Sequence, residues 1–181
     1  DPRKYDLVIG NPPYMKVGKD APEALAMPDV CYGAPNMYFL FASMSLFNLR
    51  HNGEMVYIIP RSWTSGAYFK QFRKEFLSIG ALVHIHLFVS RSKVFEKESV
   101  LQETIIIKVQ KTTIKPDVVT ISTTQSNSDF SNITEFSAPY DTVVSGEESY
   151  VYLVTNEEEA NTLKTLNKLD DTLPSIGLRM K

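Results

Sequence analysis

The stretch Asp6-Leu-Val-Ile-Gly-Asn-Pro-Pro-Tyr14 constrains this chain more than any other. Leu7-Val8-Ile9-Gly10 is an unbroken apolar run of the kind that fills a buried strand. Two consecutive prolines then remove two backbone donors and push the residue before them out of helical conformation. The strand must therefore stop near Asn11 and continue as a stiff loop with a polar tip.

That tip suits an exocyclic amino group on a flat ring. Such a nitrogen is a poor nucleophile, because its lone pair is delocalised into the ring. Accepting hydrogen bonds from both amino hydrogens favours a tetrahedral nitrogen and stabilises the positive charge that develops on it. The Asn11 side-chain oxygen is one candidate acceptor. The Pro12 backbone carbonyl is the other, since Pro12 and Pro13 restrict where it points. Tyr14 offers an aromatic face for stacking. The plain structural alternative is a Pro-Pro turn in which Asn11 caps the loop and Tyr14 is half-buried.

The 181 residues suffice for one domain with a proper core, and 43% hydrophobic with 22% charged residues is ordinary for a globular protein. A net charge of -2 gives no overall basic signature for nucleic acid, although a basic cleft can sit on a neutral protein. The single cysteine, Cys31, excludes a disulfide framework and a Cys-based zinc site. With neither a signal peptide nor an apolar run of spanning length, a cytoplasmic location and no membrane partner are expected. The opening Asp1-Pro2-Arg3-Lys4 enters a strand at once and lacks an initiator Met, which reads as a piece of a longer protein.

Along the chain, a strand at Tyr5–Ile9 precedes a Pro- and Gly-rich loop from Met15 to Pro35. A helix is expected over 36–50, ended by Asn52-Gly53, followed by a strand at Glu54–Ile59. A second helix starts at Ser65 or Gly66 and ends at Gly80. Strands follow at Ala81–Phe88, Leu101–Val109 and Val118–Ser122, with a charged loop at Val89–Val100. Alternating strands and helices predict the parallel part of an open α/β sheet, closed by a strand that returns antiparallel after a short loop. Gln125 to Ser137 reads as loop or disorder. A short strand at Tyr150–Val154 and an amphipathic helix from Asn156 to Leu169, capped by Asn156, come last. The expected organisation is 1–124 as one α/β unit, 125–149 as a polar linker, and 150–181 as the start of another unit.

Asp6 to Tyr14 resembles motif IV of the amino-directed DNA methyltransferases, and the order of elements resembles the second half of their Rossmann-like, seven-stranded catalytic domain. The resemblance covers about residues 1 to 111. Its closest flavour is the gamma-type, adenine-N6 enzyme of restriction-modification systems, in large single-chain form of type IIG. It implies that Asn11, Pro12, Pro13 and Tyr14 are catalytic and that double-stranded DNA presents a flipped adenine. The segment Arg91-Ser-Lys-Val-Phe-Glu-Lys-Glu-Ser-Val100 resembles motif VIII, which implies that Phe95 joins Tyr14 against the base. Arg91 and Lys93, in the same loop, are candidates for phosphate contacts. The implied methyl donor is S-adenosylmethionine, held in the family by a Gly-rich turn and an acidic strand end. The eight glycines are scattered, so those elements are expected upstream of Asp1 and the fragment is expected to be inactive alone. The strand at Leu7–Ile9 is then expected to form an unpaired sheet edge. Residues 150 to 181 would lead into a target-recognition domain, with a nuclease possible in the same polypeptide. A methyltransferase acting on protein glutamine or an RNA base uses the same chemistry, and a non-catalytic nucleic-acid-binding α/β module is the alternative from another class.

Other candidates carry blander readings. His84 and His86 alternate on one strand face, which reads as an ordinary exposed face rather than a metal site. Lys70, Arg73 and Lys74 read as the solvated face of a helix. Trp63, just past a strand end, suits either a cleft wall or packing.

Overall fold

The computed structural model describes residues 5–31, 35–89, 103–126, 130–169 and 175. Strand β1 (Tyr5–Gly10) is followed by a short helix α1 (Pro22–Leu25), helix α2 (Met37–Asn48), strand β2 (Leu49–Pro60) and helix α3 (Lys70–Ile79). Then come strands β3 (Gly80–Phe88), β4 (Thr104–Lys111), β5 (Val118–Thr124) and β6 (Thr134–Pro139). A helical turn α4 (Tyr140–Val143), a small hairpin of β7 (Val144–Ser145) and β8 (Tyr150–Val151), and helix α5 (Glu157–Leu166) complete the described elements.

Six strands form one sheet in the order β1-β2-β4-β3-β5-β6. β1 runs parallel to β2, and β3 to β5, whereas β4 is antiparallel to both its neighbours and β6 is antiparallel to β5. Most strands thus share one direction, as an α/β sheet requires, and β4 is the antiparallel return. β6 is a second opposing strand, and it lies in a stretch that reads as polar loop. Its pattern is nonetheless strand-like: Phe136 and Ala138 are buried while Glu135 and Ser137 are exposed. Ser, Asn and Thr around it dilute the alternation in the sequence. β1 is the outer strand, with Leu7 49% and Ile9 71% exposed, and among the described residues its far edge carries no partner strand.

Helices α2 and α3 lie together on one face of the sheet. Their contact is aromatic, with Phe39, Phe72 and Phe76 stacked at centroid spacings of 5.0 and 4.9 Å. Beneath them, the alternate β2 residues Met55, Tyr57 and Ile59 are buried, while Val56 and Ile58 are only half-buried. Two lysines close the helix ends. Lys111 Nζ donates to the carbonyls of Phe47 and Leu49, both at 2.7 Å, at the end of α2. Lys115 Nζ donates to Leu77 and Gly80, at 2.5 and 2.9 Å, at the end of α3.

Two boundaries differ from the expectation. Helix α2 ends at Asn48, and Asn52-Gly53 lies inside β2 rather than at a helix terminus. Tyr5 pairs with Leu49 but Leu7 pairs with Glu54, so Arg50 to Gly53 bulge out of the ladder. Asn52 takes φ 62°, and a Cβ on Gly53 would meet the Arg50 and Tyr5 carbonyl oxygens at 2.9 and 3.1 Å. Before α3, two 3-10 turns occupy Arg61–Thr64 and Ala67–Phe69, and the α-helix proper starts only at Lys70. The last helix matches its expected cap: Asn156 Oδ1 accepts from Glu159 N at 2.9 Å, and Glu159 Oε2 accepts from Thr155 N at 2.7 Å.

Candidate active site

The carboxyl ends of β1, β2 and β3 face the same way, and loops at that edge hold the sites of open α/β sheets. Asn11–Tyr14 leaves from β1, Arg61–Thr64 from β2, and the β3–β4 connection from Phe88. Phe95, Arg91 and Lys93 belong to that connection and lie outside the described residues.

Gly10 delivers the loop. It pairs with Tyr57 across the ladder, and a Cβ there would stand 2.9 Å from Tyr57 Cε1. Tyr57 is itself held by a 2.6 Å hydrogen bond between its hydroxyl and Ser45 Oγ. Beyond Gly10, Asn11 and Pro13 are exposed, Pro12 is buried and Tyr14 is half-buried. Tyr14 Oη lies 2.7 Å from Asn11 Oδ1 and 2.9 Å from the Ile58 carbonyl oxygen, which ties the loop to β2. Burial pushes the Tyr14 phenol up to about 12, so it stays protonated at neutral pH. Its ring meets the buried Tyr38 edge-on at 6.2 Å, and Tyr38 Oη is 3.3 Å from Ser62 Oγ in the turn after β2. No donor among the described residues engages the Pro12 carbonyl. The loop thus combines an exposed carboxamide, a carbonyl that no donor among the described residues engages, and an anchored aromatic ring.

The excursion after Tyr14 is pinned at its base. Val17 N donates to Pro35 O and Met37 N to Met15 O, both at 2.8 Å, and Asn36 caps α2 by accepting from Tyr38 N. Between these ties lie α1 and a 3-10 turn at Pro28–Val30, with Ala24 and Val30 buried.

Other candidates resolve differently. Trp63 is wholly buried against Phe72 and Phe76 and is a packing residue. Arg61 pairs with Glu103. Lys70 and Lys74 are exposed as expected of a solvated basic face, but Arg73 is fully buried, which corrects that reading for Arg73 alone. Its Nη1 donates to the carbonyls of Trp63 (3.0 Å) and Gly66 (2.8 Å), and its Nε to Glu148 O (3.0 Å). Its guanidinium lies 4.8 Å from the Tyr150 ring centroid. Arg73 therefore joins the turn after β2 to the β7–β8 hairpin. The available signal was spacing, since Phe69, Arg73 and Phe76 fall at i, i+4 and i+7 on one helical stripe.

His84 and His86 are not an open strand face either. Ser122 Oγ lies 2.7 Å from His84 Nε2 and 2.8 Å from His86 Nδ1. His86 Nε2 is 3.1 Å from Thr124 Oγ1, which donates to Ser126 O at 3.0 Å. Thr124 has one proton, so His86 Nε2 must donate to it, and His86 Nδ1 accepts from Ser122. His84 Nε2 then donates to Ser122, giving one directed chain. Among the described residues no group of three or more His, Cys, Asp or Glu gathers for a metal ion.

The family described as Eco57I restriction-modification methylase matches residues 1–95. Type II methyltransferase M.PstI of Providencia stuartii is 34% identical, over 98% of this chain and 35% of its own length. Type II methyltransferase M.BsuBI of Bacillus subtilis is 32% identical, over 100% of this chain and 38% of its own length. The chain thus spans little more than a third of these curated relatives. The type IIG restriction endonuclease BpuSI superposes with a TM-score of 0.56 at 16% identity, over 74% of this chain and 19% of its own. A Listeria monocytogenes protein described as a class I S-adenosylmethionine-dependent methyltransferase gives 0.55 at 19% identity, over 70% and 38%. These superpositions establish an α/β methyltransferase-like fold. Because the match runs from β1 through β3, more than half of the sequence, the chain belongs to the Eco57I restriction-modification methylase family.

Proposed function

We propose that this chain handles the amino group in a site-specific DNA methyltransferase that methylates adenine N6 within a restriction-modification system. The observation that carries the reading is the exposed Asn11 on a loop whose Pro12 is buried and whose Tyr14 is bonded to β2. A flipped adenine stacks on Tyr14, with Phe95 against its other face. The Asn11 side-chain oxygen and the Pro12 carbonyl accept the two N6 hydrogens. They pull the nitrogen toward tetrahedral geometry and aim its lone pair away from the ring. No general base precedes transfer, because the amino proton becomes acidic once nitrogen carries the positive charge.

S-adenosylmethionine supplies an electrophilic methyl group when bound. The described residues contain neither the Gly-rich turn nor the carboxylate-ended strand suited to it, and no residue of this chain is assigned to its binding. Arg91 and Lys93 contact DNA phosphates, and residues 150 to 181 lead toward a target-recognition domain. A type IIG-like organisation, with a nuclease in the same polypeptide, and action in the cytoplasm complete the reading. No helix among the described residues is long and apolar enough to cross a membrane.

The test is methyl transfer from labelled S-adenosylmethionine to unmethylated bacteriophage DNA by the full-length protein, beside Asn11→Ala. The reading expects label on adenine N6 that is lost in the variant. Label on protein or RNA instead, or undiminished transfer by Asn11→Ala, overturns it.

A further inference from the structure

We infer that Tyr14 is a positioning residue: its hydroxyl accepts from the Asn11 Nδ2 and donates to Ile58, leaving Asn11 Oδ1 turned outward as the acceptor offered to substrate. The inference deepens the proposed function and rests on it.

The argument is a count of protons. As assigned, Tyr14 Oη is 2.7 Å from Asn11 Oδ1 and 2.9 Å from the Ile58 carbonyl oxygen. A phenol has one proton. If the near Asn11 atom is Oδ1, two acceptors compete for that proton, and one contact is left with lone pairs facing each other at hydrogen-bond distance. The Ile58 carbonyl never donates. The Asn11 carboxamide does, after a half-turn about Cβ–Cγ that exchanges Oδ1 and Nδ2 with almost no change of shape. Only that arrangement satisfies both contacts: Nδ2–H to Tyr14 Oη, and Tyr14 O–H to Ile58.

The surroundings support the same direction of donation. The β1–β2 ladder ends at the rung of Gly10 with Tyr57, so Ile58 is one residue past the last pair, and Tyr14 bonds its carbonyl where the ladder has stopped. The half-buried phenol, raised to about 12, keeps its proton, so this tether persists at neutral pH. Asn11 itself is exposed, so the atom directed away from Tyr14 faces solvent. With Nδ2 engaged, that atom is Oδ1, an acceptor held in place before an amino group arrives.

The experiment compares full-length native protein with Tyr14→Phe, which keeps the stacking ring and removes the hydroxyl. Loss of one orienting hydrogen bond is expected to lower kcat for methyl transfer to unmethylated bacteriophage DNA about five-fold, with KM for DNA little changed. A second readout needs no activity. In protein labelled with nitrogen-15 asparagine, the Asn11 side-chain amide is assigned by its disappearance in Asn11→Asp. Its two protons are expected to be well separated in the native protein and to converge in Tyr14→Phe. Unmoved amide resonances overturn the orientation, and an unchanged kcat overturns its part in catalysis. Native protein that transfers nothing to DNA refutes the proposed function instead, while the amide spectrum still decides the orientation.

Discussion

Gly10→Ala tests how the sheet delivers the loop. The added Cβ would sit 2.9 Å from Tyr57 Cε1, 3.4 Å from Cζ and 3.5 Å from Cδ1. Comfortable carbon–carbon separation starts near ~3.5 Å, so the closest contact is short by about 0.6 Å. The ring has little freedom to retreat, being 5% exposed and bonded to Ser45. Overpacking of this kind costs about 1–3 kcal/mol. Replacing glycine in a strand returns roughly 0.5–1 kcal/mol of backbone entropy. The net expectation is a loss of about 1 kcal/mol, or a Tm lower by roughly 2–4 °C for a domain of this size. The strain falls on the residue before Asn11, so methyl transfer by the full-length protein should drop as well. The assay is thermal unfolding of four proteins: native, Gly10→Ala, Tyr57→Leu and the double variant. Shortening Tyr57 opens the space, so alanine at position 10 should be neutral or stabilising in that background. If alanine costs the same whether or not the Tyr57 ring is present, the close-approach reasoning is wrong.

Arg73→Met removes the donor to the Trp63 and Glu148 carbonyls, while Gly66 O keeps its bond from Phe69 N, and is expected to lose about 3 kcal/mol in urea unfolding; a loss under about 1 kcal/mol would refute this joining role. Arg73→Lys should restore little, because a single ammonium does not reproduce a planar fork aimed at Trp63, Gly66 and Glu148. The pH response follows from His84 and His86, both held below the usual imidazole range, mainly by burial. Glu135 favours a charged His84, Lys108 opposes it, and His84 opposes charge on His86. Both neutral forms prevail above the unfolded value near 6.5. Below it the unfolded chain takes up protons first, so stability is present above that pH and lost as pH falls through the folded values. Melting temperatures from pH 8 to 5 should fall, and the fall should flatten in His84→Asn/His86→Asn; an unchanged slope would remove the pair from the account.

The sheet and the Asn11–Tyr14 loop are legible because their signals are local. An apolar run halted by two prolines defines β1 and Asn11–Tyr14, and helical spacing defines α2 and α3. Contacts between distant residues left weaker traces. Arg73 looked solvated because its carbonyl partners come from the turn after β2 and from a hairpin some 75 residues later. β6 was hidden because only Phe136 and Ala138 face inward from a polar stretch. Asn52-Gly53 is ambiguous in the sequence because the dipeptide that ends a helix also makes a bulge, and only the register of β1 against β2 separates the two. The shared proton chain of His84, Ser122 and His86 joins two strands paired across the sheet, which no single-strand pattern reports.

The position of β4 has a consequence for how this chain is made. It lies between β2 and β3, both of which precede it in sequence. While the ribosome is still extending the chain toward Thr104, the centre of the sheet has a vacant lane, and β2 and β3 have no common neighbour. Arrival of β4 fills that lane, and the next few residues bring Lys111 and Lys115 to the bare carbonyls ending α2 and α3. Those lysines lie 62 to 64 and 35 to 38 residues after their partners, so the helices are finished long after they are synthesised. Closure of the sheet's centre therefore waits for this strand, and β5, β6 and the Glu148 partner of Arg73 follow later still. A nascent chain released before that strand emerges would be a substrate for chaperones and proteases rather than a partial domain.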